Sequence, residues 1–347
     1  MTRKGVKIVQ GDQCYICKGL LDRIRGVAER VLTKLETADA EYKTFLIGSR
    51  MPKDMATREE EVWERIGLGR ECIKTEINRE IGKLIEDRCR FRYDPNPDIR
   101  AIYDISSGIV DIEITPIYIF GKYRKLKRGI RQTIKEGSKE ESVEGFIIPT
   151  LVKAARGEKG FFHGHGREDI DALMLGNGRP FVAEIVGPRI RELDLHNLAR
   201  EINRRAKGKV EVLGLRPVTQ GMVEDIKRAK FDKTYRALVE LDNPIERKNL
   251  EKIAKRCVVL QRTPTRVLSR RVDIVRKRKV KEIKARLIDS KHIELTLTTE
   301  SGTYVKEFIS GDGGRTEPSI ASMLGYSAKC KELNVLRVHS EWYEDFW

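Results

Sequence analysis

The sequence predicts an α+β protein of two domains. Three observations carry this: a length of 347 residues, strand-like runs that outnumber helical ones in the second half, and no strict alternation between the two. The first 40 residues read as a short turn and a helix, because Leu20, Leu21, Ile24, Val27, Val31 and Leu35 recur at helical spacing. Thr44-Phe45-Leu46-Ile47-Gly48 reads as a short strand. From Cys72 to Ile85 the pattern is helical again, with Ile73, Ile77, Ile81, Leu84 and Ile85 on one side. Two strands follow, Ile99 to Ile105 and Ile109 to Ile114, joined by Ser106-Ser107-Gly108 as a hairpin turn.

Residues 117–133 change character: three aromatics (Tyr118, Phe120, Tyr123) lead into six cations, among them Lys122, Arg124 and Lys125. That mixture suits RNA, with cations on phosphates and aromatics stacked on bases. Polar Glu136-Gly137-Ser138-Lys139 marks a boundary, so the expected domains are residues 1–134 and 135–347. In the second domain, strands are expected over Val182 to Val186, Val210 to Leu215, Tyr235 to Leu241, Val258 to Gln261, His292 to Thr298 and Val335 to His339. Helices are expected over Leu193 to Ala206 and Glu246 to Arg256, set against a mostly antiparallel mixed sheet.

Lysine and arginine outnumber aspartate and glutamate by 69 to 53, giving a formal charge of +16. An excess of that size favours a polyanionic partner. Membrane is the weakest candidate, since no apolar run approaches the roughly 20 residues of a spanning helix. Met1-Thr2-Arg3-Lys4 is not followed by an apolar stretch, which predicts a cytoplasmic protein. Of six cysteines only Cys14 and Cys17 form a C-x-x-C pair, half of a structural zinc site. The dinucleotide and Walker phosphate-binding patterns are absent, which disfavours a nucleotide cofactor.

Residues 163–181 place Arg167, Asp169 and Asp171 between glycine pairs at 164/166 and 176/178. Locally extended, the three side chains share a face. A cation beside Asp169 would keep it ionised, as a nucleophile or base requires. A bare R-x-D more often marks a surface turn; the glycine bracket and the basic surroundings make this one a candidate site. His163, His165 and Asp169 also have spacings that a metal-dependent RNA hydrolase can use. A third reading is a non-catalytic RNA-binding protein.

Four segments carry a resemblance. They are Gly166-Arg167-Glu168-Asp169 with Leu175-Gly176-Asn177-Gly178-Arg179-Pro180-Phe181; Lys233-Thr234-Tyr235; Gln261-Arg262-Thr263-Pro264-Thr265-Arg266-Val267; and Gly302-Thr303-Tyr304-Val305-Lys306-Glu307-Phe308 with Gly311 to Ser319. In order and spacing the chain resembles the archaeal-type tRNA pseudouridine synthases that act on uridine-54 and uridine-55 of the T-loop. The resemblance implies a THUMP-containing RNA-binding domain first and a pseudouridine synthase domain second. It places the nucleophile at Asp169 and substrate contacts at Tyr235, Tyr304 and Lys306, with tRNA as the partner. The family carries two C-x-x-C pairs near the N-terminus, and here one is present, so zinc stays open. Pseudouridine formation neither gains nor loses atoms, so the chemistry needs no cofactor. A flipped uridine costs a few kcal/mol of stacking, of which a stacked Tyr235 returns about 1–3 kcal/mol. Arg167 is expected to fill the gap left by the base or to bind phosphate. Arg262, Arg266, Arg270 and Arg271 lead the densest basic run, assigned to the RNA backbone. No protein partner is inferred.

Overall fold

The computed structural model describes residues 13–67, 71–88, 90–134 and 141–340. The chain divides into two units. The first holds residues 1–117 with the returning segments 152–159 and 185–193, and the second holds the remainder.

In the first unit, helix α1 (Ile24–Glu36) and strand β1 (Thr44–Arg50) lie where periodicity puts them. Helices α2 (Lys53–Ile66) and α3 (Ile73–Glu86) follow, then β2 (Arg92–Tyr93) and the hairpin β3 (Ile99–Asp104) and β4 (Val110–Ile114). The sheet order is β2-β1-β3-β4. Parallel pairing aligns Phe45 with Ile99, and antiparallel pairing aligns Ile99 with Ile114. Val27, Val31 and Leu35 of α1 and Ile77, Ile81 and Ile85 of α3 are buried with Phe45, Ile47, Ile99 and Ala101. The 3.6-residue stripes of two helices thus meet the two-residue alternation of two strands, and that meeting is the core.

The second unit is built on a ten-stranded sheet in the order β13-β10-β11-β12-β9-β14-β7-β5-β8, with β6 paired to β7. Its elements are β5 (Ile117–Lys125), α4 (Val143–Ala154), β6 (Lys159–Gly164), β7 (Ala172–Val186), α5 (Leu195–Ala206), β8 (Val210–Val218), α6 (Gly221–Arg228) and β9 (Lys233–Leu241). They continue with β10 (Cys257–Arg262), β11 (Val275–Asp289), β12 (His292–Thr299), α7 (Val305–Ser310), β13 (Thr316–Glu317), α8 (Ile320–Leu324) and β14 (Ala328–Val338). Pairing is mostly antiparallel, as expected, with β14 and β7 running parallel. Ala237, Val239 and Leu241 of β9 and Ile293, Leu295 and Leu297 of β12 bury the same face against Phe308 and Ile309 of α7 and Ile320 and Leu324 of α8. That packing fixes the start of α7 near β9.

Three expectations differ from the structure. The segment at 136–139 lies outside the described residues, and the compact units divide at Ile117, because β5 already pairs with β8 in the second sheet (Tyr118 with Val218, Lys125 with Val210). The aromatics of that stretch do not await bases: Tyr118, Phe120 and Tyr123 are buried at 8%, 1% and 0% exposure. Residues 247–252 form a short 3-10 helix, and β10 starts at Cys257, so the helix expected to Arg256 stops early.

Candidate active site

Strand β9, the start of α7, the turn after β10 and the loop from Gly164 to Asp171 enclose a cavity of about 760 Å³. Asp169, Tyr235, Arg266, Tyr304 and Lys306 all line it. Four sequence motifs that lie far apart in the chain therefore converge. A cavity of this size accommodates a nucleotide.

Asp169 sits in the loop that enters β7, its side chain about one-third exposed. Its Oδ1 accepts from Arg266 Nη1 at 3.1 Å, and its Oδ2 lies 3.4 Å from Lys306 Nζ. Arg266 Nε donates to buried Glu307 at 2.7 Å. Lys306 donates to both oxygens of Asp171 at 2.7 Å. The counter-ions of Asp169 are thus Arg266 and Lys306. Arg167, expected beside it, is exposed on the cavity wall with no ion pair among the described residues. Burial works against the Lys306 ammonium, but its hydrogen bond to Asp171 and the fields of both aspartates raise its pKa above the ordinary value. Burial would lift the Asp171 pKa, yet the hydrogen bond from Lys306 holds it below the usual range. Arg266, assigned from sequence to the RNA backbone, is instead bound between Asp169 and Glu307.

Tyr235 lies on central strand β9, opposite Leu297 of β12 and Val335 of β14. Burial pushes its hydroxyl up to about 12; Arg179 lowers it and Asp169 raises it. Tyr304 caps α7. Its amide and carbonyl are both bonded by the Gln261 side chain at 3.0 Å, and its hydroxyl accepts from Arg271 at 2.9 Å. Arg262 pairs with Asp273 at 2.9 Å, while Arg270 stays exposed on the cavity wall. Arg124 donates to the Gly176 carbonyl and to Glu211, and Lys122 is half-buried beside it on β5.

Lys125 overturns its assignment to RNA. It is fully buried and donates to the carbonyls of Ile130 and Asp169 at 3.0 Å and of Ile170 at 3.4 Å. Sequence reasoning also gave no role to Glu168 and Arg179, which form a buried ion pair at 2.8 Å. The available signal was strand parity: Tyr123 and Lys125 share the inward face of β5, and Lys122 and Arg124 the other.

The two histidines of the metal reading are separately engaged. His163 contacts Glu184 at 2.8 Å, and His165 Nδ1 donates to the Ile226 carbonyl at 3.0 Å. A carbonyl only accepts, so Nδ1 carries the proton and Nε2, buried without a partner, is a bare acceptor. No group of three or more His, Cys, Asp or Glu side chains among the described residues is placed to hold a metal. Cys17 is buried and Cys14 half-buried. Burial raises the Cys14 thiol pKa, but hydrogen bonds from Cys17 hold it below its ordinary value. These two thiols fit half of a tetrahedral zinc set.

Burial, helped by the nearby Lys233 and Arg179 charges, lowers the His165 pKa from 6.5 to about 4, against the hydrogen bond to Ile226. The folded state therefore binds fewer protons than the unfolded one between those values. Stability is complete above the unfolded pKa and is lost as pH falls through this window, by about 2 kcal/mol between pH 7 and pH 5. Denaturant unfolding at the two pH values, in the parent and in His165→Gln, measures this term. Equal pH slopes in both proteins would remove it.

The four-motif cavity, the carboxylate between two cations and the β9 tyrosine are the features expected of a base-modifying RNA enzyme of the pseudouridine synthase class, and an α/β unit precedes them in the sequence. Family models agree over most of the chain. One described as "Pus10, C-terminal" matches residues 118–339, and one described as "Pus10 THUMP domain, archaeal" matches residues 27–104. The tRNA pseudouridine synthase Pus10 of Pyrococcus furiosus is 42% identical over 339 residues, covering 96% of this chain and 86% of that protein. Those of Methanothrix thermoacetophila (42%; 95% and 78% covered) and Methanothermobacter marburgensis (42%; 94% and 86% covered) are similar to it in the same way. The chain belongs to the Pus10 family of tRNA pseudouridine synthases and is an isomerase of that class. No helix among the described residues is long and apolar enough to cross a membrane.

Proposed function

We propose that this chain converts uridine-54 and uridine-55 of the tRNA T-loop to pseudouridine, with Asp169 acting on the ribose of a flipped uridine. The observation that carries the reading is Asp169 at the cavity, held between Arg266 and Lys306 and beside Tyr235. The reaction breaks the N1–C1′ bond, turns the uracil and forms a C5–C1′ bond; the C5 proton leaves and N1 gains one. Nothing else enters or departs, so no cofactor takes part.

Tyr235 offers its face to the flipped uracil, and Tyr304 lines the same cavity with its hydroxyl fixed by Arg271. Arg266 and Lys306 aim the two oxygens of Asp169. Arg167 and Arg270, both exposed on the cavity wall, take the phosphates or the space the base vacates. Arg262 contacts the backbone further out. The T-arm is the partner, and the cytoplasm is the compartment in which tRNA is met.

An unmodified tRNA transcript incubated with the protein and EDTA tests this. Carbodiimide mapping is expected to report pseudouridine at both positions with the RNA intact. A transcript with cytidine at both should give no product. Cleavage that EDTA abolishes would replace the reading with a metal-dependent hydrolase, and unaltered RNA would leave a tRNA-binding protein.

A further inference from the structure

The loop carrying Asp169 is gripped from its buried side. Of the six carbonyls from His165 through Ile170, four accept hydrogen bonds from donors behind the loop. Arg179 Nη1 donates to His165 at 2.9 Å, Gln132 Nε2 to Gly166 at 2.8 Å, and Lys125 Nζ to Asp169 and Ile170 at 3.0 and 3.4 Å. These donors are linked to one another. Glu168 lies 2.8 Å from Arg179 Nε and 3.7 Å from Lys125 Nζ. Tyr123 donates its hydroxyl proton to Glu168 at 2.9 Å and accepts from Gln132 Nε2 at 2.9 Å.

The side chains of Lys125, Glu168 and Arg179 are each no more than 2% exposed. Such a buried ionic cluster is costly, and apolar side chains of the same volume commonly stabilise a fold as well or better. What it supplies here is direction. Arg179 Nη1, Gln132 Nε2 and Lys125 Nζ each hold a named carbonyl, and the Arg179 and Lys125 charges flank the shared Glu168 carboxylate, which favours one register of the loop. Arg167 and Asp169 are then left facing the cavity while Glu168, between them, faces inward.

We propose that Gln132, Tyr123, Glu168, Arg179 and Lys125 form a positioning network that sets Asp169 against the ribose of the bound uridine. The inference rests on the reading of Asp169 as the reacting carboxylate. Misplacing a reacting group by about 1 Å costs about 10²-fold in rate, and a loop freed of one carbonyl contact has that latitude.

Gln132→Met and Tyr123→Phe are the informative variants, because neither strands a buried charge without any partner. Single-turnover pseudouridine formation and tRNA affinity are measured below the unfolding midpoint of each variant. The expected result is a rate constant lowered by about 10- to 100-fold with Kd within about twofold of the parent, and a double variant no slower than the worse single one. A residue that only stabilised the fold would lower the active fraction and the midpoint but not the rate constant of the folded enzyme. Asp169→Asn is assayed in parallel. If Asp169→Asn turns over normally, the reading of that carboxylate fails. If Asp169→Asn is inactive while Gln132→Met and Tyr123→Phe react at the parental rate, the positioning inference alone is overturned.

Discussion

Asp169→Asn is expected to lower the rate of pseudouridine formation by at least about 10³-fold while tRNA binding survives. The geometry allows the two effects to be separated. Asparagine is isosteric, and its carbonyl oxygen still accepts from Arg266 Nη1, now 3.1 Å from Asp169. The new amide faces Lys306, which keeps both oxygens of Asp171 at 2.7 Å. Arg266 keeps Glu307. Since the Asp169 side chain is 34% exposed, its ion pairs are screened and their loss costs less than about 1 kcal/mol of stability. What disappears is the negative charge and its lone pairs in the cavity. Removing an anion from a cavity that takes up polyanion leaves Kd unchanged or tighter. Carbodiimide mapping and filter binding on one preparation decide the matter: pseudouridine at the parental rate with binding intact would end the assignment of this carboxylate.

The same electrostatics separate Asp169 from Asp171, which sequence alone ranked only by family pattern. Lys306 holds Asp171 bidentately and Asp169 at a longer 3.4 Å. Asp171 is 62% exposed and closed off by its lysine. Asp169 shares Lys306 and has the Arg266–Glu307 pair behind it, so its counter-charges are fixed before substrate arrives. Preorganised charge of this kind needs no rearrangement at the moment of reaction.

Elements with one clean period were legible in the sequence. The stripes of α1 and α3, and alternate residues of β3, β9 and β12, are buried where the spacing selects them, with Ile24, Ile73 and Leu84 partly buried at the edges of the stripes. Strand β11 was not, and its two buried residues explain why. Val280 and Ile283 are three apart because a bulge between Val280 and Glu282 shifts the register, so the alternation is broken and cations dominate the remainder. Helix α4 carries Pro149 inside it, which argues against a helix locally, yet Val143, Ile147, Ile148 and Leu151 are buried along it. Motif order selected Asp169, Tyr235, Tyr304 and Lys306, which line one cavity. The buried charges escaped because Lys125 reads as one of six cations within residues 117–133, and a charge's burial depends on partners such as Glu168 that are distant in sequence.

Gly176→Ala is expected to be the most damaging single methyl in the second unit. Strand β14 runs parallel to β7 through Ala172–Leu333 and Met174–Val335. Past that point the side chain of Asn177 stands in for backbone: its Nδ2 donates to the Val338 carbonyl at 2.7 Å, and its Oδ1 accepts from the Val338 amide at 3.0 Å. To present Asn177 this way the chain turns at Gly176 with φ +62°, directly over the Leu336 carbonyl. A Cβ there would lie 1.6 Å from that backbone oxygen. Neither atom belongs to a side chain that can swing aside, so the strands must separate. A left-handed non-glycine residue alone costs about 1–3 kcal/mol, and lost pairing of β14 adds to it. The total expected loss is at least about 4 kcal/mol, enough to remove most soluble protein. Gly313→Ala is the control, since Gly313 has a similar φ of +64° and nothing within 4 Å of its Cβ. It should lose only the conformational part, about 1–3 kcal/mol. Denaturant midpoints that ranked the two variants equally would show that the Leu336 contact yields cheaply, and that Gly176 serves conformation rather than the close approach of two strands.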